Sequence, residues 1–115
     1  MIGIVIVSHS AKLAEGLAEL TKQMVPDGLP LAVAAGIDDP ENPFGTDAIA
    51  IQEAISSIYS EDGVLVMMDL GSAILSAEMA LEFLPPDRQA KVKLCEAPLV
   101  EGTIAAAVRA GGGAS

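Results

Sequence analysis

The chain's only histidine, His9, stands between Ser8 and Ser10 at the abrupt end of an apolar run that begins at Met1. Sixty residues on, Asp69-Leu70-Gly71-Ser72 sets a carboxylate at the end of a second apolar run. A glycine that permits close backbone approach follows, then a hydroxyl. An imidazole that donates one ring N–H to a carboxylate has its tautomer fixed, and its other nitrogen becomes a lone-pair nucleophile. Asp69 is the natural orienter of His9. A phosphoryl group attacked by that nitrogen lies among the N-termini of helices opening at Ser10, Thr46 and Ser72, where the helix dipole and free amides favour an anion. Backbone N–H groups near Ser10, Gly71 and Ser72, with the Thr46 hydroxyl, suit charge on the equatorial oxygens. Among these turns Lys12 is the one basic residue.

Plainer readings of the same residues stand beside this one. A lone histidine at a strand end is more often a hydrogen-bonding residue than a nucleophile, an aspartate there is often only a turn or cap residue, and Ser8 and Ser10 read as caps. The sequence has no G-x-S-x-G elbow, no G-x-G-x-x-G fingerprint and no Walker A loop, which removes the usual hydrolase, dinucleotide and P-loop signatures. Phosphorylation of Asp69 itself calls for an acidic pair after the first strand to hold Mg²⁺, and Ser8-His9 stands there instead. Asp38, Asp39 and Glu41 cluster in one loop and read as solvated carboxylates, so neither a metal nor a cofactor is called for.

The elements that must carry these residues follow from periodicity. Short β-branched runs at the start of the chain, at Leu29 to Ala35 and at Val64 to Met68 read as strands, the first and third buried on both faces. Lys91 to Glu96, with its lysines, reads as a strand nearer an edge. Pro30 suits a first strand position. A first helix over Ser10 to Met24 presents Leu13, Leu17, Leu20 and Met24 as its apolar stripe. Thr46 caps a second helix with Asp47 in its first turn and Ile51, Ala54, Ile55 and Ile58 on the buried face. Ile74, Ala77, Leu81 and Leu84 mark a third helix, ended by Pro85-Pro86-Asp87. Pro98 opens a last helix with Val100, Ile104 and Val108. The ten residues from Gly36 to Gly45 form a loop long enough to act as a lid, with Phe44 pinning it to the body or meeting a partner.

Four strand–helix units make an α/β/α sandwich with a mainly parallel four-stranded sheet. Right-handed crossovers bring His9, the loop before Thr46, and Asp69-Gly71-Ser72 to one sheet edge. For His9 and Asp69 to meet, strands 1 and 3 must be neighbours, which favours the order 2-1-3-4; this order rests on the chemical reading. Residues 1–110 form one domain and 111–115 a flexible tail.

Composition narrows the class. Half the residues are hydrophobic (51%) but only 3% are aromatic, so the core is built of Ala, Ile, Leu, Val and Met, which favours close helix-on-sheet packing. Sixteen acidic against six basic residues leave a net charge of −10, unsuited to a nucleic-acid or anionic membrane surface. Cys95 reads as a buried small hydrophobe. Without a basic start before an apolar segment no signal peptide is expected, and Asp69 breaks the longest apolar run short of a membrane span. A cytoplasmic location is expected.

The stretches Gly3-Ile4-Val5-Ile6-Val7-Ser8-His9-Ser10, Gly45-Thr46, Gly63 to Ala73 (with Met68-Asp69-Leu70-Gly71-Ser72) and Ala97-Pro98-Leu99-Val100-Glu101-Gly102 together carry a family resemblance across nearly the whole chain. It resembles the mannose-type enzyme IIA domains of the phosphoenolpyruvate-dependent sugar phosphotransferase system. Within them it is similar to the branch serving as phosphotransferase subunit of the phosphoenolpyruvate-dependent dihydroxyacetone kinase. The resemblance implies that His9 is phosphorylated, that Asp69 orients it, and that Thr46, Gly71 and Ser72 line the phosphate site. It implies the phosphorylated carrier HPr as donor, ADP held on the kinase's nucleotide subunit as acceptor, and a homodimer. These residues include no HPr-like or enzyme-I-like stretch, so a separate donor is expected. They also stop short of the extra exchanged strand of some sugar-transport relatives. Two rivals are a sugar-transport enzyme IIA passing phosphate to a IIB partner, and a regulatory module that performs no transfer.

Overall fold

The run Gly3–Ser8 forms strand β1 with all six residues buried, as a central strand covered on both faces must be. The computed structural model describes residues 2–25, 28–36, 46–69, 71–95 and 98–111. In it β1 pairs in parallel with β2 (Leu31–Ala35) on one side and with β3 (Val64–Met68) on the other. Strand β4 (Val92–Cys95) continues the sheet beyond β3, also in parallel. The order is β2-β1-β3-β4, the one that contact between His9 and Asp69 requires.

Direction of travel then decides which face each helix covers, because crossovers between parallel strands are right-handed. The step from β1 to β2 carries α1 (Ala11–Met24) over one face. The steps from β2 to β3 and from β3 to β4 run the other way and carry α2 (Ala48–Ile58) and α3 (Gly71–Glu82) over the opposite face. A short turn of helix, α4 (Pro86–Gln89), precedes β4, and α5 (Leu99–Gly111) returns to the side of α1. The pleat splits the core accordingly. Val5, Val7, Val64, Val66 and Met68 pack with Ile51, Ile55, Ala73 and Ala77, while Ile4, Ile6 and Met67 pack with Ala14, Leu17, Leu99 and Ala107. Travel reverses between β1 and β3, so a crevice opens beyond their carboxyl ends, where open α/β sheets bind ligands. His9 and Asp69 are the first residues past those two ends.

Several local expectations need correction. The buried face of α1 is Ala14, Leu17, Ala18 and Thr21, so only Leu17 of the expected stripe faces inward. Leu13, Leu20 and Met24 are exposed. Small residues let α1 lie close on the sheet, and the large ones are turned to its flank. On α5, Val100 and Val108 are likewise exposed, and Thr103, Ala107 and Ala110 are buried with Leu99. The cap of α2 is Asp47, whose Oδ1 accepts from the Ile49 amide at 2.9 Å; Thr46 lies one residue too early. Cys95 is half-buried and free, not enclosed. Helix α4 was unanticipated. Pro86 occupies its first position, where the missing N–H costs nothing, and Arg88 stacks 4.5 Å from the Tyr59 ring centre. The expected lid with Asp38, Asp39, Glu41 and Phe44, and the tail beyond Gly111, lie outside the described residues.

Candidate active site

The β1–β3 register runs Gly3↔Val64 through Val7↔Met68, and one further step sets Ser8 level with Asp69. This alignment delivers the acid to the histidine. His9 Nδ1 lies 3.0 Å from Asp69 Oδ1. The other carboxylate oxygen, Oδ2, accepts from the His9 backbone N–H at 2.9 Å and from the Ser8 hydroxyl at 2.9 Å. Ser8 is fully buried and its oxygen also accepts from the Ser10 amide at 3.1 Å. The His9 side chain keeps 20% of its surface exposed against 12% for Asp69. The pair therefore sits at the rim, with the ring partly open to solvent.

Burial pushes the Asp69 carboxyl up, but hydrogen bonds from the His9 backbone, the His9 ring and the Ser8 hydroxyl, with the charge of the ring, outweigh it and hold the group below its ordinary value. At neutral pH Asp69 is thus a carboxylate with acceptors only. In its contact with a neutral His9 ring, Nδ1 must be the donor, which leaves the lone pair on Nε2.

Of the remaining candidates, Ser10 is bonded to the pair through Ser8. Ser10 caps α1, its hydroxyl oxygen accepting from the Leu13 amide at 3.3 Å. The Ser10 amide is engaged by Ser8, so what Ser10 has to donate is its hydroxyl proton and not its N–H. Gly71 opens α3 two residues after Asp69, which puts a helix N-terminus beside the carboxylate. The side chain of Ser72 lies outside the described residues. Thr46 Oγ1 is 2.6 Å from Ser76 Oγ, tying the approach to α2 to the first turns of α3. Among the described residues no group of three or more His, Cys, Asp or Glu side chains is placed to hold a metal ion.

Two further hydroxyls, Ser8 on Asp69 and Ser76 on Thr46, are not among the site residues read from the sequence. For Ser8 the sequence held a signal: a polar residue at the last position of a strand otherwise wholly apolar needs a buried partner. For Ser76, one small residue among several on α3, nothing distinguished it.

The molecule is thus a doubly wound parallel α/β domain with a histidine–aspartate pair at its switch point. It belongs to the mannose-type enzyme IIA family: the family model described as PTS system fructose IIA component matches residues 3–115. Over 115 residues the chain is 61% identical to the phosphoryl donor subunit DhaM of the PEP-dependent dihydroxyacetone kinase of Escherichia coli K12, covering 99% of this chain and 24% of that protein. It is 42% identical to the DhaM of dihydroxyacetone kinase 2 of Listeria innocua, covering 95% of this chain and 86% of that one. Among solved structures, the protein EF1359, of unknown function, aligns with a TM-score of 0.83 at 35% identity, over 96% of this chain and 82% of that one. The chain spans about a quarter of the length of the E. coli relative.

Proposed function

We propose that this domain is a histidine phosphocarrier that accepts a phosphoryl group from phospho-HPr on His9 and passes it to ADP bound on the nucleotide subunit of a dihydroxyacetone kinase. The observation that carries the reading is the contact between Nδ1 and the ionised Asp69, which leaves Nε2 as the nucleophile. In the first transfer the Nε2 lone pair attacks phosphorus. An N–P bond forms as the corresponding bond in the donor's phosphohistidine breaks, and its electron pair returns to the donor ring. In the second, a terminal oxygen of ADP attacks the same phosphorus, an O–P bond forms, and the Nε2–P bond breaks with its pair returning to His9.

Between the two steps the ring carries positive charge, which Asp69 stabilises at 3.0 Å. The Ser10 and Thr46 hydroxyls and the backbone at Gly71 and Ser72 hold the phosphoryl oxygens. The names of the DhaM relatives favour the dihydroxyacetone kinase branch over a sugar-transport IIA domain. A cytoplasmic homodimer charged by phospho-HPr completes the proposal. No helix among the described residues is long and apolar enough to cross a membrane.

The test is incubation of the protein with phosphoenolpyruvate, enzyme I and HPr, followed by mass measurement. The native chain gains one phosphate, lost in acid, and His9→Ala gains none. Labelling of His9→Ala overturns the site. Supplying either ADP-loaded kinase subunit or a IIB domain to the phosphoprotein then identifies the acceptor, and discharge to IIB alone overturns the kinase assignment.

A further inference from the structure

We infer that Ser8 is the positioning residue of the histidine–aspartate pair: its hydroxyl bridges the Ser10 amide to Asp69 and so holds the carboxylate in the orientation that faces Nδ1. The inference rests on the reading of His9 as the phosphoryl acceptor.

A serine hydroxyl has one proton and two lone pairs. Ser8 Oγ accepts from the Ser10 amide at 3.1 Å, and its single proton goes to Asp69 Oδ2 at 2.9 Å. The side chain is 0% exposed, so water cannot substitute for either partner. The two bonds straddle His9 in sequence. One ties the residue before it to the acid, the other ties that same residue to the one after it, and the His9 N–H itself meets Asp69 Oδ2 at 2.9 Å.

The consequence for Asp69 is geometric. With Oδ2 holding two donors from β1 and the turn that follows, rotation of the carboxylate is blocked and Oδ1 is left facing the ring at 3.0 Å. Nε2, on the far side of the ring, is thereby held in one place relative to the carboxylate. Ser8 touches neither phosphoryl group nor ring nitrogen, so any effect on transfer passes through Asp69. Its place in the pleat explains why strand sequence alone can do this. Ser8 follows Ile4 and Ile6 on the face covered by α1, whose N-terminus is the element that Ser10 caps.

A single histidine in the chain makes the test unambiguous. Nitrogen-15 spectra of the neutral ring report its tautomer in the full chain without any donor protein. The native chain shows the proton on Nδ1. Ser8→Ala shows a mixture of the two tautomers, and its rate of phosphorylation by phospho-HPr falls about ten- to a hundredfold, as for misplacement of a reacting group. Ser8→Thr, which keeps the hydroxyl, restores the Nδ1 tautomer and most of the rate. Ser8→Cys, nearly isosteric but a weak donor, falls between and covers the case in which the alanine variant does not fold.

A native tautomer and rate in Ser8→Ala or Ser8→Cys overturn the inference. So does an equal loss in the alanine and threonine variants, which would assign Ser8 to packing alone. If the native chain takes up no phosphate, the phosphocarrier reading fails, whereas the tautomer comparison still decides the role of Ser8.

Discussion

His9 Nδ1 and Asp69 Oδ1 lie 3.0 Å apart across a sequence separation of 60 residues. Two adjacent parallel strands ending level with each other produce that contact, and no loop has to fold over to make it. The pair is therefore set by the strand register, which suits transfer chemistry dominated by positioning.

Replacing Asp69 by Asn keeps the size of the side chain but presents an amide in place of an acceptor-only group. The ring is then free to take the opposite tautomer, with its lone pair turned inward. Phosphorylation by phospho-HPr is expected to slow on the order of a hundredfold or more, while the circular dichroism spectrum stays that of the native fold. Unchanged transfer rates in rapid-quench measurements would refute the orienting role.

Acid acts on the same residue. The folded pKa of Asp69 lies below its value in the unfolded chain, so the unfolded state takes up its proton first and low pH favours unfolding. The contribution is whole above about pH 4 and fades as pH falls through the folded pKa. Urea midpoints of the native chain and Asp69→Asn are thus expected to differ most near neutrality and to converge in acid. A gap that stays constant as pH drops would show that this titration does not contribute.

Thr103 offers a gain. Its Oγ1 is buried in α5 without a hydrogen-bond partner, a desolvation cost that the isosteric Val does not carry. Thr103→Val is expected to raise stability by about 1 kcal/mol, read by urea denaturation. A loss of that size would mean that the hydroxyl makes a bond in solution.

Two glycines should respond in opposite directions to alanine. At Gly63, φ is +102° and an added Cβ falls 2.9 Å from the Lys91 carbonyl oxygen, so Gly63→Ala is expected to cost roughly 1–3 kcal/mol. At Gly16, inside α1, an added Cβ meets nothing within 4 Å, and Gly16→Ala is expected to gain about 0.5–1 kcal/mol. Gly63 precedes β3 at the edge opposite the site, so its variant should leave the His9 tautomer unchanged. Equal stability changes at the two positions would contradict the backbone geometry at Gly63.

Strand identity and order were legible because the apolar runs are short and separate, and because the chemistry of His9 and Asp69 admits few neighbours for β1. Helix faces were harder. In α1 the large residues Leu13, Leu20 and Met24 gave the stronger periodic signal, yet Ala14, Ala18 and Thr21 make the buried surface, since close packing on a sheet rewards small size. The cap of α2 was misplaced by one residue because Thr46 and Asp47 are both good caps, and only the backbone decides between them. At the site, the sequence pointed to the pair and marked Ser8 as a polar residue in need of a partner, but not which partner, because hydrogen-bond partners of a side chain depend on register, which spacing along one strand does not contain.

That register has a consequence for how such a chain can change. Sliding β3 by a single position against β1 would bring Met68 level with Ser8 and turn every inward side chain of the strand to the opposite layer. An insertion or deletion between α2 and β3 that shifted the strand would unmake the oily interior and the reactive edge together. Variation in length is tolerable only where a connection can absorb it without moving the strand, so the lineage is free to remodel its rim loops but not to renegotiate how its two middle strands line up.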